Sequence, residues 1–186
     1  MLKSIFLEKS IPYDGTALCS GWIRKQTGIE GDAIVSFIGG ADVPLSHMVD
    51  LEDVARNAPI FSELMLHFII EIEDTDLEKM VLRQRLLIAI LKDELQKFPN
   101  TQNIRRSGND LYDGKAKLSV SVATSSPKSC LIHTAINILH ENTPVLTEGL
   151  SDYEVAPETL AETVMKKFVE ELEGVAHAQT KVRSVS

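Results

Sequence analysis

The chain contains 186 residues, of which 44% are hydrophobic and 25% are charged. This length is typical of one domain, and the apolar fraction is large enough to build a core, which excludes disorder over most of the chain. Nineteen lysines and arginines stand against 27 aspartates and glutamates, so the formal net charge is −8. Such a charge repels a phosphate backbone at long range and disfavours nucleic acid as a partner. From the length and the apolar fraction we expect a single domain over residues 1–186.

The two cysteines and the apolar runs indicate a cellular compartment. Cys19 and Cys130 lie far apart and match no metal-ligand spacing, as expected in a reducing, cytoplasmic setting. The N-terminus lacks the apolar segment of a secretory signal, and charged residues or histidine interrupt every apolar run before about 18 residues. We expect a cytoplasmic protein without a membrane span, and the sequence leaves a homodimer open.

The first third of the chain predicts short elements. Strands are expected at 4–7 and 33–38, and helices at 15–25 and from residue 50. The second strand runs into Gly39 and Gly40, where the absence of a side chain lets the backbone turn or approach a ligand closely.

A long strand and a long helix follow. Residues 64–72 predict the clearest strand, and residues 76–98 predict an amphipathic helix with a wide apolar stripe. Thr75 and Glu78 fit a capping box at its start, in which their side chains bind the free backbone N–H groups. Pro99 closes the helix, which should pack against a sheet.

The second half of the chain predicts further strands and a final helix. Strands are expected at 103–106, 117–124 and 128–138, and an amphipathic helix over 157–173. Side chains alternate along a strand. The strands predicted at 64–72, 117–124 and 128–138 therefore each have an apolar face, which helices can cover, and a polar face. The polar faces carry His67 and Glu71, then Lys117, Ser119 and Ser121, then His133 and Asn137. Such a face either meets water or lines a ligand cleft.

The segment from Asn109 to Tyr112, followed by Lys117-Leu118-Ser119, resembles biotin and lipoate protein ligases. In those enzymes an Asn-Asp-Leu turn leads into a strand that begins with the catalytic lysine. Ala135-Ile136-Asn137-Ile138 is similar to a strand of the biotin ligases and octanoyltransferases, and the likeness spans roughly residues 33–138. It implies an α/β (α+β) fold of the class II synthetase and biotin ligase kind. The sheet would be mainly antiparallel, with helices on one face and a cleft on the other.

The same resemblance implies acyl activation, in which a carboxylate attacks ATP, accompanied by Mg²⁺, to give an acyl-adenylate. Lys117 would place its ammonium against the acyl oxygen and the α-phosphate. Asp110 would orient Lys117 or hold Mg²⁺, Asn109 would fix the turn, and His133 is a candidate general acid or base. The candidate catalytic residues are Lys117, Asp110 and His133. The candidate ligand-binding residues are Asn109, Asn137, Arg105, Arg106, Ser119, Ser121, Gly39, Gly40 and His67.

Purely structural interpretations of these residues stay open as alternatives. Lys117 is equally an exposed strand-end lysine, and His133 a hydrogen-bonded sheet histidine. Of Arg105 and Arg106, which could bind a phosphate or carboxylate, alternation lets only one face the cleft. The acidic residues from Asp50 to Asp53 are more typical of a helix start than of a metal site, and no metal site is predicted.

The chain also departs from the ligases. Residues 37–41 are the only counterpart of their arginine- and glycine-rich loop and contain no arginine, and Val120 stands where the ligases have glycine. The alternative to an enzyme is therefore a non-catalytic module that binds a small anionic molecule or a peptide. Met65-Leu66-His67-Phe68 and Leu131-Ile132-His133 are also similar to a family of archaeal and bacterial proteins known only as a domain of unknown function.

Overall fold

The computed structural model describes residues 1–185, which form one large and one small sheet with helices. The strands are β1 (Lys3–Leu7), β2 (Ala33–Val43), β3 (Ile60–Ile72), β4 (Ile104–Ser107), β5 (Asp110–Asp113), β6 (Ala116–Lys117), β7 (Ser119–Ser125) and β8 (Cys130–Asn137). The α-helices are α1 (Trp22–Thr27), α2 (Leu51–Ala55), α3 (Leu77–Leu95) and α4 (Pro157–Thr180), and 3₁₀ turns lie at Leu45–His47 and Leu150–Tyr153.

The large sheet has the strand order β1-β2-β3-β8-β7 and the small sheet the order β4-β5-β6. Only the β1–β2 pair is parallel, and the other strand pairs in this part of the chain are antiparallel. This arrangement confirms the predicted α/β fold with a mainly antiparallel sheet. None of the helices in residues 1–185 is both long enough and apolar enough to cross a membrane.

Helices α3 and α4 cover one face of the large sheet. Phe68 of β3 and Ile132 of β8 point toward them and are fully buried with Leu87 and Leu91 of α3 and Phe168 of α4. Burying each such side chain contributes about 1.5–3 kcal/mol. The alternation predicted for 64–72 and 128–138 is confirmed, so His67, His133 and Asn137 lie on the opposite face.

Helix α3 begins one residue later than its capping-box pattern indicates. Asp76 is the N-cap, and its Oδ1 accepts a hydrogen bond from the Lys79 backbone N–H at 3.0 Å. The prediction of Thr75 as the N-cap is therefore wrong, because an aspartate directly after the threonine takes the role. Helix α1 is also shorter than predicted, since Gly15 and Gly21 adopt left-handed backbone conformations that interrupt a helix.

The predicted strand 117–124 is two strands, because the chain leaves the small sheet at Lys117 and enters the large sheet at Ser119. Leu118 lies between them, fully buried, and donates its N–H to Leu111 O at 2.9 Å. This break shifts the side-chain alternation by one residue. Ser119 and Ser121 pair with Ile136 and Thr134 on the helix-covered side. The prediction that these serines share the cleft face with Lys117 is wrong.

Candidate functional site

Two adjoining cavities lie on the face of the large sheet that the helices leave uncovered. Each has a volume of about 160 Å³. We call the first the acidic cavity, because Asp50, Asp53 and Asp110 border it, and the second the apolar cavity, which Phe61, Met65, Val145 and Asn137 border. Lys117 and Val120 border both cavities. The cavities are therefore the two ends of one groove, with Lys117 at their junction.

Lys117 and Asp110 form an ion pair at this junction. Lys117 ends β6 and Asp110 begins β5, and the antiparallel pairing of the two strands brings Lys117 Nζ to 2.8 Å from Asp110 Oδ2. Their side chains are 28% and 20% exposed. Burial lowers the pKa of Lys117, but the carboxylate of Asp110 outweighs this effect and the net pKa is raised. Lys117 is therefore charged at neutral pH.

The pKa of Asp110 is shifted by the same two influences, burial and the ion pair, in directions opposite to those for Lys117. Burial raises its pKa, and the ammonium of Lys117 offsets this only in part. Its second oxygen, Oδ1, is sealed from solvent and has no hydrogen-bond partner within residues 1–185. The ion pair thus leaves one buried carboxylate oxygen free to accept a hydrogen bond.

His67 and His133 form a buried hydrogen-bonded pair beneath the acidic cavity. His67 Nδ1 lies 3.0 Å from His133 Nε2, and His67 Nε2 lies 3.1 Å from Gly39 O. Tyr13 stacks on the ring of His133 with centroids 3.8 Å apart, and Phe37 stacks on His67 at 4.9 Å. Burial lowers the pKa of His67 to about 4 and that of His133 well below its usual range. Both rings are therefore neutral at physiological pH.

The partners of the two rings determine where their protons lie. Gly39 O can only accept, so His67 Nε2 carries a proton and its Nδ1 is an acceptor. His133 Nε2 must then donate to His67 Nδ1, which leaves a lone pair on His133 Nδ1. No hydrogen bond within residues 1–185 reaches this nitrogen, and it is not among the unpartnered atoms sealed from solvent. Since His133 borders the acidic cavity, Nδ1 is open to it.

The two predicted asparagines take different positions along the groove. Asn137 borders the apolar cavity, with its Nδ2 at 3.5 Å from Lys117 O. Asn109 borders the acidic cavity, and its Oδ1 accepts a hydrogen bond from Arg85 Nε of α3 at 3.2 Å. The groove therefore brings Lys117, Asp110, His133 and both asparagines together.

The two predicted serines border the groove, Ser121 at the acidic cavity and Ser119 at the apolar cavity, but their hydroxyls bond to other parts of the protein. Ser119 Oγ accepts from the Leu111 N–H at 2.8 Å, and Ser121 Oγ bonds Gln84 Nε2 of α3 at 2.9 Å and Thr134 Oγ1 at 2.7 Å. These hydroxyls satisfy buried polar groups under the helix instead of facing a ligand.

The predicted arginines and glycines also lie differently from expectation. Arg105 and Arg106 are exposed and border neither cavity, and Arg105 is separated from Lys117 by Tyr112, with which both residues pair across the small sheet. A Cβ on Gly39 would lie 1.8 Å from Ile11 O, and one on Gly40 would lie 2.9 Å from Glu63 O. The close approach that these glycines allow is made by the chain itself.

Sequence reasoning missed Tyr13, and it identified Asp50 to Asp53 correctly as a helix start without placing Asp53 at the groove. Tyr13 reaches the groove because the Tyr13 N–H bonds Gly40 O at 2.9 Å, and the glycine pair is the only sequence signal for this crossing. Asp53 lies on the short helix α2, whose N-cap is Asp50, and borders both cavities. No group of three or more His, Cys, Asp or Glu side chains within residues 1–185 could hold a metal ion.

This sheet, with helices on one face and a groove on the other, is the catalytic-domain fold of biotin and lipoate protein ligases. The biotin protein ligase from Aquifex aeolicus, solved in complex with biotin and ATP, has a TM-score of 0.60 and 12% identity, covering 92% of this chain and 70% of its own. A putative lipoate protein ligase from T. acidophilum has a TM-score of 0.56 and 12% identity, covering 92% of this chain and 86% of its own.

The chain belongs to the family described as Domain of unknown function (DUF366), whose profile matches residues 2–183. A solved protein of unknown function from Pyrococcus horikoshi is 34% identical, with a TM-score of 0.92 over 100% of both chains. An uncharacterized protein from Methanocaldococcus jannaschii is 36% identical over 142 residues, which cover 74% of this chain and 63% of the relative. The match therefore spans less than two thirds of that relative. Both resemblances stated from the sequence are confirmed.

Proposed function

We propose that this protein activates a small carboxylic acid with a nucleotide. The observation that carries the proposal is the position of Lys117 at the junction of two cavities. Among the described residues that border either cavity, Lys117 is the only lysine or arginine. An acid in one cavity and a nucleotide in the other would direct their negative groups to this ammonium.

The chemistry at the junction would be a single displacement at phosphorus. An oxygen of the carboxylate attacks the α-phosphorus of ATP, a new P–O bond forms, and pyrophosphate leaves with the electron pair of the bond that breaks. Lys117 lies where both reactants are anionic and stabilises the charge that develops between them. Asp110 fixes the ammonium by its ion pair and keeps it protonated.

The apolar cavity is suited to the base of the nucleotide. Its walls include Met65, Phe61 and Val145, which offer apolar surface to a flat ring. Asn137 supplies an amide that can both donate to and accept from the edge of a base. Mg²⁺ would arrive with the phosphates, because phosphate oxygens commonly supply part of its coordination.

A binding module without turnover is the second candidate function. The observation that favours it is the absence of arginine from residues 37–41 and from the described residues that border either cavity. A polyphosphate held by one lysine and faced by the carboxylates of Asp50 and Asp53 would bind weakly unless Mg²⁺ offsets their charge.

Pyrophosphate release from Mg-ATP with a panel of small carboxylates tests the proposal, and hydroxylamine present in the assay would trap an activated acyl group as a hydroxamate. We expect release with at least one acid and a loss of about 100-fold or more in Lys117→Ala. Lys115→Ala is the matched control, because Lys115 is exposed two residues away and borders neither cavity. A carboxylate that binds without any release of pyrophosphate would favour the binding module. Full activity in Lys117→Ala would refute the assigned role of this lysine.

A further inference from the structure

The acidic cavity offers hydrogen-bond acceptors that nothing in residues 1–185 satisfies. Asp110 Oδ1 is sealed and unpartnered, and His133 Nδ1 has a lone pair but no partner. The side chain of Asp53 engages in neither a hydrogen bond nor an ion pair in this part of the chain; its backbone N–H bonds Asp50 Oδ1 at 3.3 Å, and its backbone carbonyl accepts from the Ala58 N–H at 3.0 Å. A complementary ligand therefore brings donors into this cavity.

The free ring nitrogen of His133 is the strongest evidence that a ligand donor enters the acidic cavity. His133 is 3% exposed, so a free nitrogen on its ring is costly unless a ligand or water occupies it. The hydrogen bond to His67 fixes the ring so that Nδ1 is an acceptor, and Tyr13 stacks on its face and prevents it from turning. The pair thus presents one immobile acceptor to the cavity.

A positively charged donor fits this cavity better than a neutral one or a metal ion. Asp50, Asp53 and Asp110 border the cavity, and Lys117 provides its one compensating cation among the described lining residues. The side chains do not form a metal-binding group within residues 1–185. A primary ammonium carries one positive charge and N–H donors, which suit the carboxylate of Asp53 and the free nitrogen of His133.

We propose that the acid bound at Lys117 is an amino-carboxylate whose ammonium group lies in the acidic cavity between Asp53 and His133. Its activation rests on the proposed function, whereas its binding does not. The cavity volume of about 160 Å³ restricts the ligand to a small molecule. A plain fatty acid would leave His133 Nδ1 without a partner, and a site built to bind N–H groups strongly rejects a ligand that lacks them.

Matched pairs of ligands test this directly, without nucleotide. We would titrate the protein by calorimetry at neutral pH with leucine and its des-amino analogue 4-methylpentanoate, and with 6-aminohexanoate and hexanoate. At least one amino-carboxylate should bind about tenfold or more tightly than its partner. Equal binding of both members in each pair, or no binding of any amino-carboxylate, would overturn the proposal.

Variants locate the ammonium. Asp53→Asn should remove the preference for the amino compound, whereas Glu52→Gln, an exposed neighbour on α2 that borders neither cavity, should leave it unchanged. In ¹⁵N-histidine spectra of the unmodified chain, the amino-carboxylate should shift the Nδ1 signal of His133 and its des-amino analogue should not. A shift confined to the exposed histidines would contradict the proposal.

Pyrophosphate release separates the two proposals. If the amino-carboxylates bind selectively but no pyrophosphate is released with Mg-ATP, acyl activation fails and the ammonium site stands. If plain carboxylates support release as well as their amino counterparts do, the ammonium site fails and acyl activation stands.

Discussion

Lys117 Nζ lies 2.8 Å from Asp110 Oδ2, and both side chains are less than one third exposed. Removing the lysine leaves a mostly buried carboxylate without its partner, so Lys117→Ala should destabilise the fold as well as abolish activity. An exposed strand-end lysine, the alternative that the sequence leaves open, would predict a melting temperature within a few degrees of the parent. The ion pair instead predicts a loss of about 1–3 kcal/mol, or several degrees, measurable by thermal and urea unfolding.

A double variant separates the two roles of Lys117. Asp110→Asn combined with Lys117→Met removes both charges, so it should recover part of the stability that Lys117→Ala loses. It should recover no pyrophosphate release, because the ammonium is still absent. Recovery of activity in the double variant would show that Lys117 acts only through the fold.

Ser121 and Val120 are neighbours on β7 that face opposite sides of the sheet. Ser121→Ala should destabilise the protein by about 1–3 kcal/mol, because it leaves the buried amide of Gln84 without its acceptor, while ligand binding is retained. Val120→Phe should have the opposite outcome, because Val120 borders both cavities and a larger side chain fills them. Urea unfolding and calorimetric titration of both variants measure the contrast. A Ser121→Ala variant that loses binding at full stability would restore the sequence-based assignment of this serine.

The faces of β3 and β8 are predictable from sequence because both strands are regular where they pair with each other. Alternation therefore places His67, His133 and Asn137 on one face correctly. The face of β7 is not predictable in this way, since its register depends on the break at Leu118. That break is set by bonds to two other strands, in which Leu118 N donates to Leu111 O and Leu118 O accepts from Asn137 N. Local sequence does not specify such tertiary pairing.

The residues of the groove likewise divide into those that the sequence identifies and those that only the structure identifies. Asp110 and Lys117 lie close together in one hairpin, and the resemblance of this segment to the ligases names both as site residues. Tyr13 and Asp53 enter the groove from distant segments through backbone packing and a short helix. Their contribution follows from long-range contacts that no periodicity encodes.

Gly39 should tolerate no side chain. A Cβ there would meet Ile11 O at 1.8 Å and Ile11 C at 2.6 Å, and these backbone atoms cannot rotate aside as the end of a flexible side chain could. Gly39→Ala should therefore cost more than about 3 kcal/mol or prevent folding. Gly174 in α4 is the control, because nothing lies within 4 Å of its Cβ position and Gly174→Ala should stabilise the helix by about 0.5–1 kcal/mol. Equal melting temperatures for Gly39→Ala and the parent would show that the segment around Ile11 does not pack as described.

The buried pair of His67 and His133 should make stability depend on pH. Both rings are neutral in the fold, because burial lowers the pKa of His67 from 6.5 to about 4 and lowers that of His133 as well. In the unfolded chain both titrate near their ordinary pKa, so between pH 6.5 and about 4 the unfolded state binds more protons. The stability that depends on the two neutral histidines is therefore fully present above pH 6.5, and it is lost as the pH falls from 6.5 to about 4. At pH 5 the loss of stability caused by His67 alone amounts to about 2 kcal/mol relative to neutral pH.

Urea unfolding at pH 7.5 and pH 5, on the parent and on His67→Gln, isolates this effect. Glutamine can donate to Gly39 O and accept from His133, but it does not titrate, so the variant should lose less stability between the two pH values than the parent does. His140 acts in the opposite direction, because its hydrogen bond to Asp152 raises its pKa, and it contributes equally to parent and variant. The difference between the two proteins therefore cancels His140. Identical pH dependence in the parent and His67→Gln would mean that His67 is not held neutral in the fold, and the single proton assigned to each ring would then be wrong.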